Sequence, residues 1–246
     1  MRHYIGFSIL LLALAPAANA QQWLVSNMIQ NHSIEISICG SALQKGQRLP
    51  DICAKYPQYS GAEAKQDRAS QAPVATPARP SAAALASLRF TPPAGSAAMQ
   101  AFVDGLGRSP QEREQLLQVI GATKAAFEKD YAAKGWKNNV AGGFAFFIGS
   151  IGYIWSGREP DAAAQDRLFD ALSTVLAQEP GMAKASPRDK AALYDTLIAS
   201  TSIPLLLFID GSQKNDKAQV AQARELAAEY SRKVLQAEPE ALAGML

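Results

Sequence analysis

The sequence contains little histidine, and this scarcity narrows the chemistry that the protein can perform. It has two histidines, and only His32 lies beyond the first twenty residues. Nucleophilic triads and most proton-transfer sites depend on a histidine. The sequence also lacks a G-x-S-x-G elbow, a Gly-Lys-Ser/Thr phosphate loop and an H-E-x-x-H zinc motif. It therefore predicts no catalytic residue, no cofactor and no metal.

Neither sign of charge is in large excess. The chain has 24 basic and 22 acidic residues, a net charge of +2. Its first twenty residues contain one arginine and no acid, so the net charge of the rest is +1. Such a balance gives no electrostatic footprint for nucleic acid and no attraction to an anionic membrane surface. We therefore predict no nucleic-acid partner.

The first twenty residues have the layout of a secretory signal peptide. Arg2 gives a basic start, residues 5–14 form an apolar run, and Ala18-Asn19-Ala20 fits a cleavage site with small residues. A retained membrane anchor is the alternative, but the run is short for a span and Pro16 interrupts its end. We predict cleavage after Ala20 and a periplasmic or secreted product.

The chain has only two cysteines, Cys39 and Cys53. In an oxidising compartment this pair predicts a disulfide, which would stabilise the fold by about 3 kcal/mol through loop closure. Two free or metal-binding cysteines are the alternative, although a zinc site needs more ligands and only His32 is nearby. Alternation of isoleucine with polar residues over residues 33–38 predicts a short strand beside them.

Composition divides the chain into four parts. After the signal peptide (residues 1–20) comes a small N-terminal segment, residues 21–60, with the expected disulfide. Residues 61–87 are rich in Ala, Pro, Ser and Gln and poor in large apolar side chains, which predicts a flexible linker. Residues 88–246 form the remaining domain.

Apolar spacing in this last part is helical throughout. We predict six helices, over residues 96–106, 109–135, 138–157, 160–179, 186–210 and 216–237. Ser109 and Ser186 are each followed by a proline, a specific helix-start signal, and Ser109 to Glu112 fits a capping box. Pro204 predicts a kink or a break in the fifth helix. Six helices with short loops predict a single all-α bundle.

Residues 138–157 contain no charged side chain and lie between Lys137 and Arg158. As a helix this stretch approaches the thickness of a membrane's hydrocarbon core, so two interpretations are open. It is either the buried axis of the bundle, or it forms with residues 205–209 a helical hairpin that opens into a membrane. We favour the buried axis, because Pro204 and the hydroxyl residues before it make the second segment a poor span.

Small residues in the same stretch suggest a site for close contact. Ala141, Ala145 and Gly149 form a ridge at four-residue spacing, and Trp155 lies near its end. We take these four as candidate close-packing or ligand-facing residues. The stretch also has four glycines, Gly142, Gly143, Gly149 and Gly152. Each lowers helix propensity by about 1 kcal/mol relative to alanine, and close packing is the explanation we expect.

Three groups of residues carry a resemblance to a known family. They are Leu88-Arg89-Phe90-Thr91-Pro92, Asn138-Asn139-Val140-Ala141, and Asp189-Lys190 with Tyr194 and Leu197. Over about residues 88–237 the chain resembles exported bacterial proteins that share a C-terminal helical domain of unknown function. An acidic residue often follows Val-Ala in that family, where this chain has Gly142. The resemblance implies a fold and a compartment, and it transfers no catalytic residue.

Two acidic features of the sequence could in principle form a site. Asp166 and Asp170 lie one turn apart and would suit a metal or an acid–base pair, although a solvated helix face explains them better. Residues 210–216 faintly resemble a calcium loop, but a lysine takes a liganding place, and a turn between helices explains them.

The sequence thus favours an exported, non-enzymatic helical module that binds an unidentified protein partner. A membrane-active or lipid-binding protein is the first alternative, with the apolar stretch or a cavity beside its glycines as the contact. A hydrolase that uses carboxylates is the last.

Overall fold

A computed structural model describes residues 80–95 and 97–246. Within these ranges the chain forms nine helices and no strand, so the predicted all-α fold is confirmed. In chain order the helices are α1 (Ala82–Leu88), α2 (Ala97–Leu106), α3 (Pro110–Asp130), α4 (Val140–Ser156), α5 (Ala162–Gln178), α6 (Pro180–Lys184), α7 (Pro187–Lys214), α8 (Lys217–Leu235) and α9 (Pro239–Ala243). The predicted signal peptide, the predicted strand, His32, Cys39 and Cys53 lie outside the described residues.

The six predicted helices correspond to α2, α3, α4, α5, α7 and α8, and α4 is the centre of the bundle. It packs against α5, α7, α8 and α9. Twelve of its 17 residues are buried, so the buried-axis interpretation is confirmed. The side chain of Asn139 accepts a hydrogen bond from the Ala141 N–H at its start, and Gly157 ends it in the left-handed conformation.

The second central helix is α7, which packs against α2, α3, α4 and α8. It runs parallel to α4, since Gly143 near the start of α4 lies against Tyr194, and Tyr153 near its end lies against Phe208. The two helices of a hairpin run antiparallel. The alternative in which residues 138–157 and residues 205–209 form a helical hairpin is therefore wrong. By length and composition alone α7 could cross a membrane, with a mean hydropathy of 1.6, but 61% of that apolar window is buried inside the fold.

Pro204 does not divide α7, which continues from Pro187 to Lys214. Of the two predicted alternatives, a kink or a break, the break does not occur. Three buried hydroxyl residues precede the proline in this helix. Ser200, Thr201 and Ser202 each donate a hydrogen bond of 2.8 Å to the carbonyl oxygen four residues earlier. The helix therefore satisfies these polar side chains itself, which allows α7 to lie in an apolar core.

The helix-start signals form as predicted, with one difference. At α7 the capping box is complete, because Ser186 and Asp189 accept hydrogen bonds from each other's backbone N–H groups. At α3 the Ser109 side chain accepts from the Glu112 N–H, but the Glu112 carboxylate accepts from Arg108, one residue before the cap. In the α3 capping box, the bond from the Glu112 N–H to Ser109 is therefore as predicted. The return bond to the Glu112 carboxylate comes from Arg108 and not from Ser109.

Short helices at both ends of the domain were not predicted. The flexible linker was expected to continue to residue 87, but α1 occupies residues 82–88 and packs against α5 and α6. Leu88 is fully buried and Leu85 packs on the core, so two leucines anchor an alanine-rich segment. Lys190 of α7 adds a hydrogen bond of 2.6 Å to the Ser87 carbonyl. At the other end α9 packs against α4 and buries Leu242.

Close packing explains some of the α4 glycines. A Cβ atom at Gly142 would collide with the backbone of Trp136, and one at Gly152 would collide with Leu246 and approach Ala243. A Cβ at Gly149 would meet nothing within 4 Å, so close packing does not explain that glycine. Gly142 stands where the resembled family often has an acid, and its space is taken here by the main chain.

Gly142→Ala and Gly149→Ala should therefore have opposite effects on stability. The first should lower the free energy of unfolding by about 2 kcal/mol or more, because the backbone of Trp136 must move. The second should raise it by up to about 1 kcal/mol through helix propensity. Urea denaturation followed by circular dichroism measures both. Equal effects of the two substitutions would show that the main chain of Trp136 does not press on α4.

Candidate functional site

An open groove of about 820 Å³ lies between the end of α4, the α7–α8 corner and one side of α8. Trp155 lines it from the last turn of α4 and is half-buried. Gly211 and Asn215 line it from the end of α7. The groove thus brings a large aromatic side chain of the central helix beside the outer helix α8.

One face of α8 forms the long wall of this groove. Among the residues of α8 that line it, beside Val220 and Glu225, are Lys217, Ala221, Arg224, Ala228 and Arg232. They follow each other at intervals of four, three, four and four residues, which keeps them on one side of a helix. The opposite side of α8, with Ala223, Ala227 and Ser231, is buried. Cations and alanines therefore alternate along this face, with Ala228 buried at its base and Glu225 exposed beside Arg224.

The α7–α8 corner is held by capping and by close contact. Asn215 ends α7 in the left-handed conformation, and Asp216 caps α8 by accepting from Ala218 N–H and Gln219 N–H. Asp210 accepts hydrogen bonds of 2.9 Å from Lys214 and Gln219, which lower the pKa of its carboxyl group. Residues 210–214 are thus the end of α7, where the sequence predicted a turn between helices, and residues 215 and 216 join α7 to α8. Asp210 and Asp216 both stabilise this corner.

A hydrogen bond to the central helix fixes one cation of the groove, Arg224. The Nε–H of Arg224 donates to the Ile154 carbonyl at 3.2 Å, which ties the middle of α8 to the last turn of α4 next to Trp155. Arg232 forms an exposed ion pair of 3.2 Å with Glu238. The guanidinium of Arg224 is therefore positioned before any ligand binds.

The four candidate residues of the central stretch do not come together. Ala141 and Ala145 lie in the core, and Gly149 lies on the same side of α4 with open space beside it. Trp155 follows Gly149 by six residues, which turns it to another side of the helix. Only Trp155 lines the groove. The sequence missed the α8 face because alternating cations and alanines also fit an ordinary solvated helix.

A second polar cluster, also missed, joins α3 to α7. Lys124 Nζ lies 2.7 Å from a carboxylate oxygen of Asp195 and 3.8 Å from one of Glu128. Glu128 also accepts from the Tyr194 hydroxyl at 3.2 Å and pairs with Lys137 at 3.5 Å. Burial, reinforced by the nearby Glu128 carboxylate, raises the pKa of the Tyr194 phenol, which therefore stays a neutral donor. Tyr194 was noticed only through the family resemblance.

This cluster explains how two charged helices pack together. Asp195 is only 7% exposed at its side chain and Lys124 is 24% exposed, so each depends on the other for compensation. The Lys124 ammonium also lies 5.5 Å from the centre of the Tyr194 ring. The opposite charges compensate one another within the cluster, which fits a role in holding α3 on α7.

Lys124→Met should lower the free energy of unfolding by about 1–3 kcal/mol, because it leaves Asp195 buried without its ammonium partner. Chemical denaturation at neutral pH measures the loss. Lys129→Met is the matched control, since Lys129 is exposed on the same helix, and it should change stability by less than about 0.5 kcal/mol. Equal losses in both variants would contradict the assigned role of the cluster.

The carboxylates considered for catalysis are placed differently. Asp166 is 57% exposed and pairs with Lys134 at 2.7 Å. Asp170 is half-buried one turn later, and its carbonyl accepts from the Thr174 hydroxyl. In the part of the chain that the structure describes, no three His, Cys, Asp or Glu residues are grouped so that they could hold a metal.

The described residues define an all-α domain with an open groove of mixed charge beside its central helix. The chain belongs to the DUF6683 family, a family of unknown function, whose sequence profile matches residues 1–243. This match takes in the first 87 residues, which the resemblance to a helical domain left out. Comparison with curated proteins and with solved structures gave no significant match.

Proposed function

We propose that this chain is an exported, non-enzymatic protein-interaction module and that the groove beside Trp155 is its contact surface. The observation that carries the proposal is the composition of the groove. Trp155, Arg224 and Arg232 line it together, and tryptophan and arginine are enriched among the residues that dominate binding energy at protein interfaces.

The rigidity of the groove supports the same proposal. Arg224 is tied to the Ile154 carbonyl, and the α7–α8 corner is capped at both helix ends. A surface whose side chains are already fixed loses less conformational entropy when it binds. The floor side chains Ala221 and Ala228 are small, so a partner's side chains can approach α8 closely.

Photo-crosslinking from Ala221 tests the proposal directly. A photoreactive amino acid at this exposed groove position should give a discrete adduct with a protein partner in the producing cell, which mass spectrometry then identifies. The same probe at Ala126, exposed on α3, is the control and should not give that adduct. Arg224→Glu should greatly reduce the adduct.

Two outcomes would refute this assignment of the groove. One is no adduct from Ala221 although the protein is present at normal levels. The other is the same set of adducts from Ala221 and Ala126, since a specific interface contacts its partner from one surface only.

A membrane-active protein is the second candidate, and α7 is the observation that favours it. Its hydropathy permits a span, and Leu206 and Ile209 in its second half are 49% and 36% exposed. These two side chains would be the first to contact lipid if α7 left the bundle.

Liposome flotation with dye leakage separates the two candidates. An interaction module should stay in the soluble fraction and release no dye at acidic or neutral pH, because its apolar helices stay buried. Leakage that is abolished by Leu206→Glu, in a variant with unchanged circular dichroism, would favour the membrane candidate instead. Lys129→Glu is the control for the added negative charge, because Lys129 is exposed on α3 and far from Leu206 in the sequence.

A further inference from the structure

The exposed side of α8 has a spacing that selects one kind of partner segment. Lys217 and Arg224 are seven residues apart, and Arg224 and Arg232 are eight. At about 1.5 Å per residue these intervals are roughly 10.5 and 12 Å along the helix, close to two helical turns. The three cations thus repeat at nearly regular distances along the groove.

A helical partner matches this repeat, and an extended one does not. Carboxylates placed seven or eight residues apart on a second helix recur on one face at the same distances. In an extended strand the side chains of one face recur at about 6.6 Å, so regular carboxylates would fall out of register with the cations.

The alanines between the cations provide the room that a second helix needs. Ala221 is exposed and Ala228 is buried below it, so these two positions between the cations carry only methyl groups. The exposed side chain of Glu225 lies beside them on the same wall. Helix axes can then approach to about 8–10 Å, the usual packing distance. Trp155 would contact the partner from the side, at the level of Arg224.

The charges of the groove favour an acidic occupant. Three cations and two carboxylates line it, so its net charge is +1. Of the carboxylates, Asp216 accepts the capping hydrogen bonds of α8, and Glu225 is exposed beside Arg224. The Arg232–Glu238 ion pair is exposed on both sides, so it is weak and a partner's carboxylate can replace Glu238.

We propose that the partner contributes an amphipathic acidic helix that lies along α8. Its carboxylates face Lys217, Arg224 and Arg232, and its small residues face Ala221 and Ala228. This inference rests on the proposed function of the groove, and it adds the chemical class of the partner segment.

Two stapled helical peptides of the same composition test it. In the first, glutamates stand seven and eight residues apart with alanines on the same face; in the second, the same glutamates are distributed around the helix. Fluorescence anisotropy with the full mature protein should give at least a tenfold tighter dissociation constant for the first peptide. Its binding should weaken strongly in 1 M salt, where the screening length falls to about 3 Å.

Charge exchange provides the matched variants. Arg224→Glu should weaken binding of the first peptide roughly tenfold, and a peptide with lysine at the facing position should restore it. Because Arg224 also bonds to α4, Lys217→Glu at the exposed end provides a second variant that leaves that bond intact. Lys129→Glu on α3 should change nothing.

Equal binding of the two peptides would overturn the proposal, since it would mean a general attraction to anions. Failure of both peptides to bind at low salt would overturn it as well. Neither result affects crosslinking from Ala221. A specific adduct there, combined with peptide failure, would keep the proposed function and reject the acidic helix.

Discussion

The burial of α4 is the constraint on which the rest of the structure depends. This helix carries no charged side chain, and its large residues Phe144, Phe147, Ile148, Ile151 and Ile154 are almost fully buried. Each such side chain contributes about 1.5–3 kcal/mol when it leaves water, so the surrounding helices are held mainly by what they cover. The parallel helix α7, the outer helix α8 and the short helix α9 each cover part of α4.

The same burial determines where polar groups can lie. The hydroxyls of α7 are satisfied inside their own helix, and the ion pairs between α3 and α7 compensate one another near the surface. Other charged side chains lie on the surface. On α8 the cations Lys217, Arg224 and Arg232 follow each other at intervals of seven and eight residues, beside Trp155. The packing of α8 on the core therefore produces the groove, because one side of the helix must be buried and the other must face solvent.

Helix positions were readable from sequence because each long helix has its own start signal and apolar period. Ser109, Asn139, Asp161, Ser186 and Asp216 all cap the helices that follow them. The sequence did not predict the short helix α1, because only two leucines anchor it in the core. Their role is visible only once the fold brings them against α5. The groove was missed for a related reason: Trp155 and Arg224 are 69 residues apart, and no local pattern brings them together. Long-range contacts of this kind, including Lys124 with Asp195, depend on tertiary packing.

Hydrogen exchange of the intact protein, followed by mass spectrometry, tests the central role of α4 most directly. If α4 is the buried axis, its backbone amides exchange only through global unfolding. Peptides covering Val140–Ser156 should then be the slowest in the domain, clearly slower than those of α8, and added liposomes should leave them unchanged. Exchange in α4 that is as fast as in α8, or that changes when liposomes are added, would contradict the account.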